Sequence, residues 1–419
     1  MRRNDRAIAR FTMIGHATFH SYELAIPLFV VVWLDVFDVS PAVLGTVVAV
    51  GYGLVGVGAL PSGALADAYG SKRLVVLSMA GMGAGFALVA LAPTIWILAL
   101  ALVCWGAAAS LYHPAGLSLI TRGAERRGTV LAYHGVAGNV GTAAGPLVAA
   151  VALTFLDWRL VAVLFVLPAA VAVLAAARLE FDGRAAVDAA PNGGSADDTS
   201  TGADSSTFAA RGRLSTLVGR TRLLFVGGFA LVFAIAVLAG TYYRGVFTFL
   251  PDVLAGLPVL EPVDVGEETF EPGQYVYVGL LLIGAVGQYV GGTLSDRRAP
   301  ERLIVLALLA LLVVTLLFPL ATAAGLAATL LVCAALGFFV YMEAPIHQAL
   351  IGEYAAADVQ GLSFGVTYLG VFGIGAVGAS IAGIALTYGG TGLLFASLAA
   401  FPALGVLLAA VLLVRHRRR

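Results

Sequence analysis

Five of the six histidines in this 419-residue chain lie inside otherwise apolar runs, and two of them share a helical stripe with a carboxylate. His16, His20 and Glu23 are spaced by four and three residues, which places them on one face of an α-helix. At about 1.5 Å per residue, His20 and Glu23 fall near the middle of the apolar run. Glu343 and His347 repeat the four-residue spacing further along the chain. Arg244, in Tyr242-Tyr243-Arg244, is the only basic residue deep inside a run. It suits two roles equally: counter-ion to Glu23, or attractor of an anionic solute. An ionisable group at mid-bilayer costs roughly 2.5–3.5 kcal/mol on insertion scales, so such groups normally face a cavity. Carboxylates and imidazoles in a low-dielectric passage can titrate near neutrality, which suits coupling to a proton gradient.

The expectation is that Glu23, His20, Glu343 and His113 carry the coupling proton. His16, Tyr112, His134, Asn139, Tyr242, Arg244 and His347 are expected to line a substrate cavity. His134 shares a face with Gly138, Gly141 and Gly145, a packing surface, so it is as readily a packing histidine. Asn139 points elsewhere, roughly 140° around the helix from His134. His16/His20 and Glu343/His347 have metal-ligand spacing, but no cysteine and few carboxylates join them. No resident metal or other cofactor is expected.

The elements that must position these groups are membrane spans. The chain is 60% hydrophobic and only 11% charged, whereas soluble domains carry about 25% charged residues. Zero formal net charge gives no reason to expect a nucleic-acid partner. A bilayer core needs roughly 20 apolar residues per helix. Polar breaks then divide the chain into twelve spans near 8–34, 41–65, 73–92, 95–121, 129–156, 159–177, 221–250, 275–295, 302–321, 325–352, 361–388 and 391–414. Of the 24 basic residues, only Arg159 and Arg244 fall outside the termini and alternate connections. That asymmetry implies cytoplasmic termini in a multi-pass protein of the inner membrane. Cys104 and Cys333, each in an apolar run, read as small buried hydrophobes.

The expected domains are a six-helix bundle at 1–180, a disordered linker at 181–219 rich in Gly, Ser and Asp, and a second six-helix bundle at 220–419. The halves echo each other at a nearly constant offset. Gly63–Asp67 matches Gly291–Asp296, His113-Pro114 matches Ala344-Pro345, and Gly145 matches Gly378. Repeated halves place a substrate site between them, near the midplane.

Gly63-Ala-Leu-Ala-Asp67-Ala-Tyr-Gly70-Ser-Lys72 resembles the short loop motif of the major facilitator superfamily, G-x-x-x-D-R-x-G-R-K, with Ala68 and Ser71 at two basic positions. A second copy keeps Gly292, Asp296 and Arg297 but has Ala299 in place of glycine. The resemblance implies the fold of that superfamily: all-α, twelve transmembrane helices in two pseudo-symmetric bundles. It also implies that these loops act as gates on the cytoplasmic side. Tyr112-His113-Pro114-Ala115 and Gly138-Asn139-Val140-Gly141 through Gly145-Pro146 resemble the branch containing fosmidomycin-resistance exporters. Gly141-x-x-x-Gly145-Pro146 also matches the core of an antiporter motif, with Ala149 and Ala150 where paired glycines should follow. Physically, Gly138, Gly141, Gly145 and Pro146 form a surface that lets helices approach closely.

The expected function is therefore secondary active transport by alternating access, with proton-coupled export of a small organic compound or drug by a monomer. A proton- or sodium-coupled uptake symporter for an anionic solute is the alternative on the same fold, and a non-transporting membrane sensor or scaffold is the alternative of another class. No Gly-Lys-Ser/Thr nucleotide loop occurs, and the chain is not expected to be an enzyme.

Overall fold

In lipid every backbone N–H and C=O must find an internal partner, so long apolar runs fold as helices. A computed structural model describes residues 1–188, 225, 228–355 and 360–417 of the chain. Eleven helices there are long and apolar enough to cross a bilayer, the last covering 52 residues, Gly365–His416. Gly390 divides that last run: its φ of 61° interrupts the helix, so two crossings meet there and the described residues hold twelve. The left-handed conformation at this turn suits glycine, which has no Cβ to clash.

The helices of the first half are α1 (Arg3–Val36), α2 (Pro41–Tyr69), α3 (Ser71–Ala90), α4 (Ile95–Ala109), α5 (Tyr112–Gly123), α6 (Arg127–Phe155), α7 (Trp158–Leu164) and α8 (Val166–Arg178), followed by a short α9 (Ala185–Asp188). The second half holds α10 (Phe229–Ala255), α11 (Pro272–Ser295), α12 (Pro300–Ala323), α13 (Leu326–Tyr354), α14 (Gln360–Tyr368) and α15 (Val377–Arg417). Two strands, β1 (Val263–Val265) and β2 (Glu268–Phe270), pair antiparallel between α10 and α11. This hairpin is an addition to the expected loop; Gly266, with φ 71°, sits in its two-residue turn.

The expected seventh span, 221–250, is corrected to Phe229–Ala255. Pro251 does not end the helix, because neighbouring helices can shelter the carbonyl that a proline leaves unpaired. At the start of the expected linker, Asn4 Nδ2 donates to the Asp182 carbonyl at 3.0 Å and Asn4 Oδ1 accepts from Asp182 N at 2.8 Å. Residues 181–188 are thus held against the first half. Positions 189–219 of the expected linker lie outside the described residues.

Glycines set the helix pairing. A methyl group on Gly141 would strike the Ala17 carbonyl, and one on Gly145 would strike Ser21, so α6 lies directly against α1. The same relation recurs in the second half, where Gly378 lies against the backbone of Thr241 in α10. Between the halves, α1 meets α10, α2 meets α15, and α6 meets α11. On the side away from the termini these contacts are closed. The Ala42 N–H donates to Thr387 Oγ1 at 3.0 Å, and Thr154 and Tyr275 hydroxyls are 3.4 Å apart.

Besides a single-residue break at Phe165 between α7 and α8 in the sixth span, two spans among the described residues depart from α-helix in the interior. The fourth breaks between Ala109 and Tyr112, one residue before His113-Pro114. The eleventh widens into a π-helical turn over Leu369–Ile374. Irregular backbone at membrane depth is tolerated where it is enclosed by protein or lines a cavity, and these two irregularities face each other: the His113 ring lies 5.5 Å from Tyr368 and 6.3 Å from Phe372.

Candidate functional site

The stripe His16–His20–Glu23 faces the other half of the molecule. Glu23 Oε1 accepts from the Arg244 guanidinium, joining α1 to α10. The two side chains are only 1% and 3% exposed. Tyr52 from α2 supplies a face to the guanidinium, 3.9 Å from ring centroid to Cζ, and its hydroxyl donates to the Glu23 carbonyl at 2.7 Å. Tyr243 and Phe372 stand further out on the same cation, at 5.3 and 5.6 Å. A guanidinium out of water needs this combination of carboxylate and π faces. Of Arg244's two expected roles, the structure shows the counter-ion contact.

Glu23 Oε2 is used separately, 2.7 Å from His20 Nδ1. His20 Nε2 meets His16 Nε2 at 3.1 Å, and His16 Nδ1 lies 2.7 Å from the His134 carbonyl. The His16 and His134 rings stack at 3.7 Å, an approach that Gly138 permits, since a methyl there would overlap the His16 ring. Tyr112 Oη donates to the Thr12 carbonyl at 2.5 Å and lies 3.2 Å from His134 Nε2. His113 completes the group, buried, with neither ring nitrogen hydrogen-bonded to any described residue. Four histidines from three helices thus form one cluster, next to the ion pair that spans the halves.

Glu343 and His347 stay within the second half. Glu343 Oε1 is 2.9 Å from His347 Nδ1, and His347 Nε2 is 3.1 Å from the Val232 carbonyl. Both nitrogens of one imidazole therefore face oxygen acceptors.

Tyr242 and Asn139 stand apart from both groups. The Tyr242 hydroxyl pairs with Thr315 at 2.6 Å inside the second half; its neighbour Tyr243 takes the place facing Arg244, because successive helix residues point about 100° apart. Asn139, half-buried, is off the face that carries His134. Sequence reasoning missed Tyr52, Tyr243, Tyr368 and Phe372. Each is an aromatic in an apolar run, and no sequence signal separates it from ordinary core.

On the side of the termini, Asp67 pairs with Arg122 at 2.7 Å and Lys72 donates to the Leu179 carbonyl at 2.7 Å. Both contacts lie within the first half, so neither bridges the halves in this conformation. Gly70 turns the chain between α2 and α3 with φ 89°. Gly63 has open space around its Cα, Gly292 lies near Pro345, and Asp296 and Arg297 are exposed. Pro146 sits in α6 beside Gly145 and is buried.

Residues 12–376 match the family model described as Major Facilitator Superfamily. A search of curated protein sequences finds no match. Among solved structures, a bacterial homologue of the human lysosomal transporter Spinster superposes in two inward-facing forms. The unoccupied form gives a TM-score of 0.70 at 15% identity, covering 98% of this chain and 96% of the other. The occupied form gives 0.71 at 16% identity, covering 100% and 98%. The nucleoside transporter NupG, in a point-mutant form, gives 0.73 at 12% identity, covering 98% and 99%. At such identities these likenesses establish the fold, and the structural neighbours are transporters.

Proposed function

Because this chain belongs to the major facilitator superfamily of membrane transporters, we propose that it is a secondary active transporter that exports a small organic compound in exchange for protons. The observation that carries the reading is the buried Glu23–Arg244 pair between α1 and α10. An ion pair shared by two halves is a two-state contact: it holds when they close around it and must be exchanged or hydrated when they part. In this reading residues 1–180 and 220–419 move as the two bodies, joined by 181–219. The basic connections and both termini face the cytoplasm, which makes the observed closure external and the inner membrane the location.

Glu343–His347 supports the proton as coupling ion. With one His347 nitrogen facing the Val232 carbonyl and the other facing a carboxylate, satisfying both contacts takes one more proton than neutral imidazole plus carboxylate carries. Glu23 already has a permanent cation, so a proton there competes with Arg244 instead of filling a vacancy. Outward transport rests on the antiporter-like Gly141-x-x-x-Gly145-Pro146 sequence. Arg244 favours one second reading: an anionic solute that displaces Glu23 from the guanidinium and is taken up with the coupling ion.

The test begins with a thermal-shift screen of a compound panel on purified protein. Each hit is then added to proteoliposomes under an imposed pH gradient, with a pH-sensitive dye inside. Wild type should move protons against the hit. Glu343→Gln should lose gradient-driven flux while keeping hit-for-hit exchange, and Glu23→Gln should lose both. Full gradient-driven flux in both variants would overturn the assignment.

A further inference from the structure

The two imidazoles of α1 are oriented so that bare nitrogens meet. His16 Nδ1 lies 2.7 Å from the His134 carbonyl and His20 Nδ1 lies 2.7 Å from Glu23 Oε2. An oxygen acceptor needs a hydrogen facing it, so the hydrogen-bond network assigns the ring proton to Nδ1 in both residues. Both Nε2 lone pairs then point at each other across 3.1 Å. That separation is repulsive unless a cation lies between them.

A proton would satisfy those two atoms and no others. It would leave His113, whose ring centroid is 5.2 Å from that of His16 and 5.8 Å from that of His20. Both His113 nitrogens are buried without a hydrogen bond to any described residue, and a buried polar atom left unpaired is destabilising until it finds a partner. One ligand nitrogen from each of His16, His20 and His113 can be chosen so that all three lie within 4.8 Å of one another.

We propose that His16, His20 and His113 form a binding site for a divalent late-transition-metal cation of the zinc class, where α1 and α5 face the second half. Imidazole nitrogen is the preferred donor for such ions. Two nitrogens at about 2.1 Å from a tetrahedral zinc are about 3.4 Å apart, close to the 3.1 Å between His16 and His20. The weak metal signal in the sequence came from pairing His16/His20 with Glu343/His347; the fold replaces that distant pair with His113. A carbonyl behind His16 and a carboxylate behind His20 are the partners that orient metal-binding imidazoles. Three protein ligands leave the fourth position open, which suits an ion that enters and leaves. Glu23 holds His20 with one oxygen and Arg244 with the other, so occupancy is felt at the contact between halves. This deepens the transport reading, on which it rests, by naming a small organic compound that carries a divalent metal cation as the substrate class.

The test titrates tag-free, full-length protein with Co²⁺ alone. One equivalent should produce the intense visible bands of four-coordinate cobalt, and Zn²⁺ should abolish them. His113→Ala and His20→Ala should each weaken binding by well over about tenfold, and Glu23→Gln by about tenfold, the usual effect of losing a group behind a ligand. His416→Ala, at the other end of the chain, should leave the spectrum intact. No visible absorption in wild type, or bands of equal affinity in His113→Ala, overturns the site; His113→Ala decides alone if His20→Ala does not fold. Proton flux is read separately, so an absent cobalt spectrum with intact flux removes the metal and leaves the transporter.

Discussion

Arg244→Met should shift the molecule toward the state in which its halves are parted on the side away from the termini. The ion pair is almost fully buried, at 3% and 1% side-chain exposure, so solvent screening does not reduce its effect. Removing one partner of a buried pair costs about 3–5 kcal/mol, because the other charge remains without compensation. The guanidinium also lies 3.9 Å from the Tyr52 ring, a contact worth about 2 kcal/mol when desolvated. Since the partners sit on different halves, this cost falls on the closed state and is relieved when water reaches Glu23. About 1.4 kcal/mol is a factor of ten, so a loss near 3 kcal/mol changes the ratio of states by roughly a hundredfold. Spin labels at Val43 and Tyr388 report it directly. Both side chains are exposed, at 41% and 79%, and they flank the Ala42–Thr387 hydrogen bond that closes this side. With Cys104 and Cys333 replaced, wild type should give one short distance and Arg244→Met a dominant longer one. The double variant Glu23→Gln/Arg244→Met should return most of the way, with a coupling energy of about 3 kcal/mol or more by double-mutant cycle. Identical distance distributions in wild type and Arg244→Met, or a double variant no better than the single, would refute the pair as the contact that holds the halves.

Gly141→Leu should lower thermal stability by about 1–3 kcal/mol or more, because its side chain would have to displace the α1 backbone at Ala17; an unchanged melting curve would mean the helices are not in contact there. Gly390→Val, which puts a β-branched residue at φ 61°, ψ −160°, a region essentially confined to glycine, should cost about 1–3 kcal/mol. Asp5→Ala should cost about 1 kcal/mol, since the Asp5 carboxylate accepts from the backbone N–H groups of Glu125 and Arg126 at 3.0 and 3.3 Å at the start of α6. Thermal unfolding in detergent reads all three, and loss of the order Gly141→Leu worst, Asp5→Ala mildest would contradict the packing described.

The architecture was largely legible in the sequence, for a reason particular to membranes. Lipid forbids unpaired backbone and unpaired charge, so length and hydropathy alone mark the twelve spans, the last break falling between 388 and 391. Spacing also placed His16, His20 and Glu23 on one face, because helical period is a local property. Where local rules conflict the boundaries slipped, as at Pro251 and the β1–β2 hairpin. What the sequence alone left open was who meets whom. Arg244 could equally face a solute or a carboxylate 221 positions away. Tyr242 and Tyr243 were indistinguishable until the rotation of α10 sent one to Thr315 and the other toward Arg244. His134 gained its neighbour His16 only when Gly138 and Gly141 allowed α6 to lie against α1, and His113 met His16 and His20 only through the packing of α5 on α1. Periodicity determines the direction in which a side chain leaves its own helix; the partner it finds depends on how helices far apart in the chain rotate and pack against one another, and that is decided only when the whole set closes together.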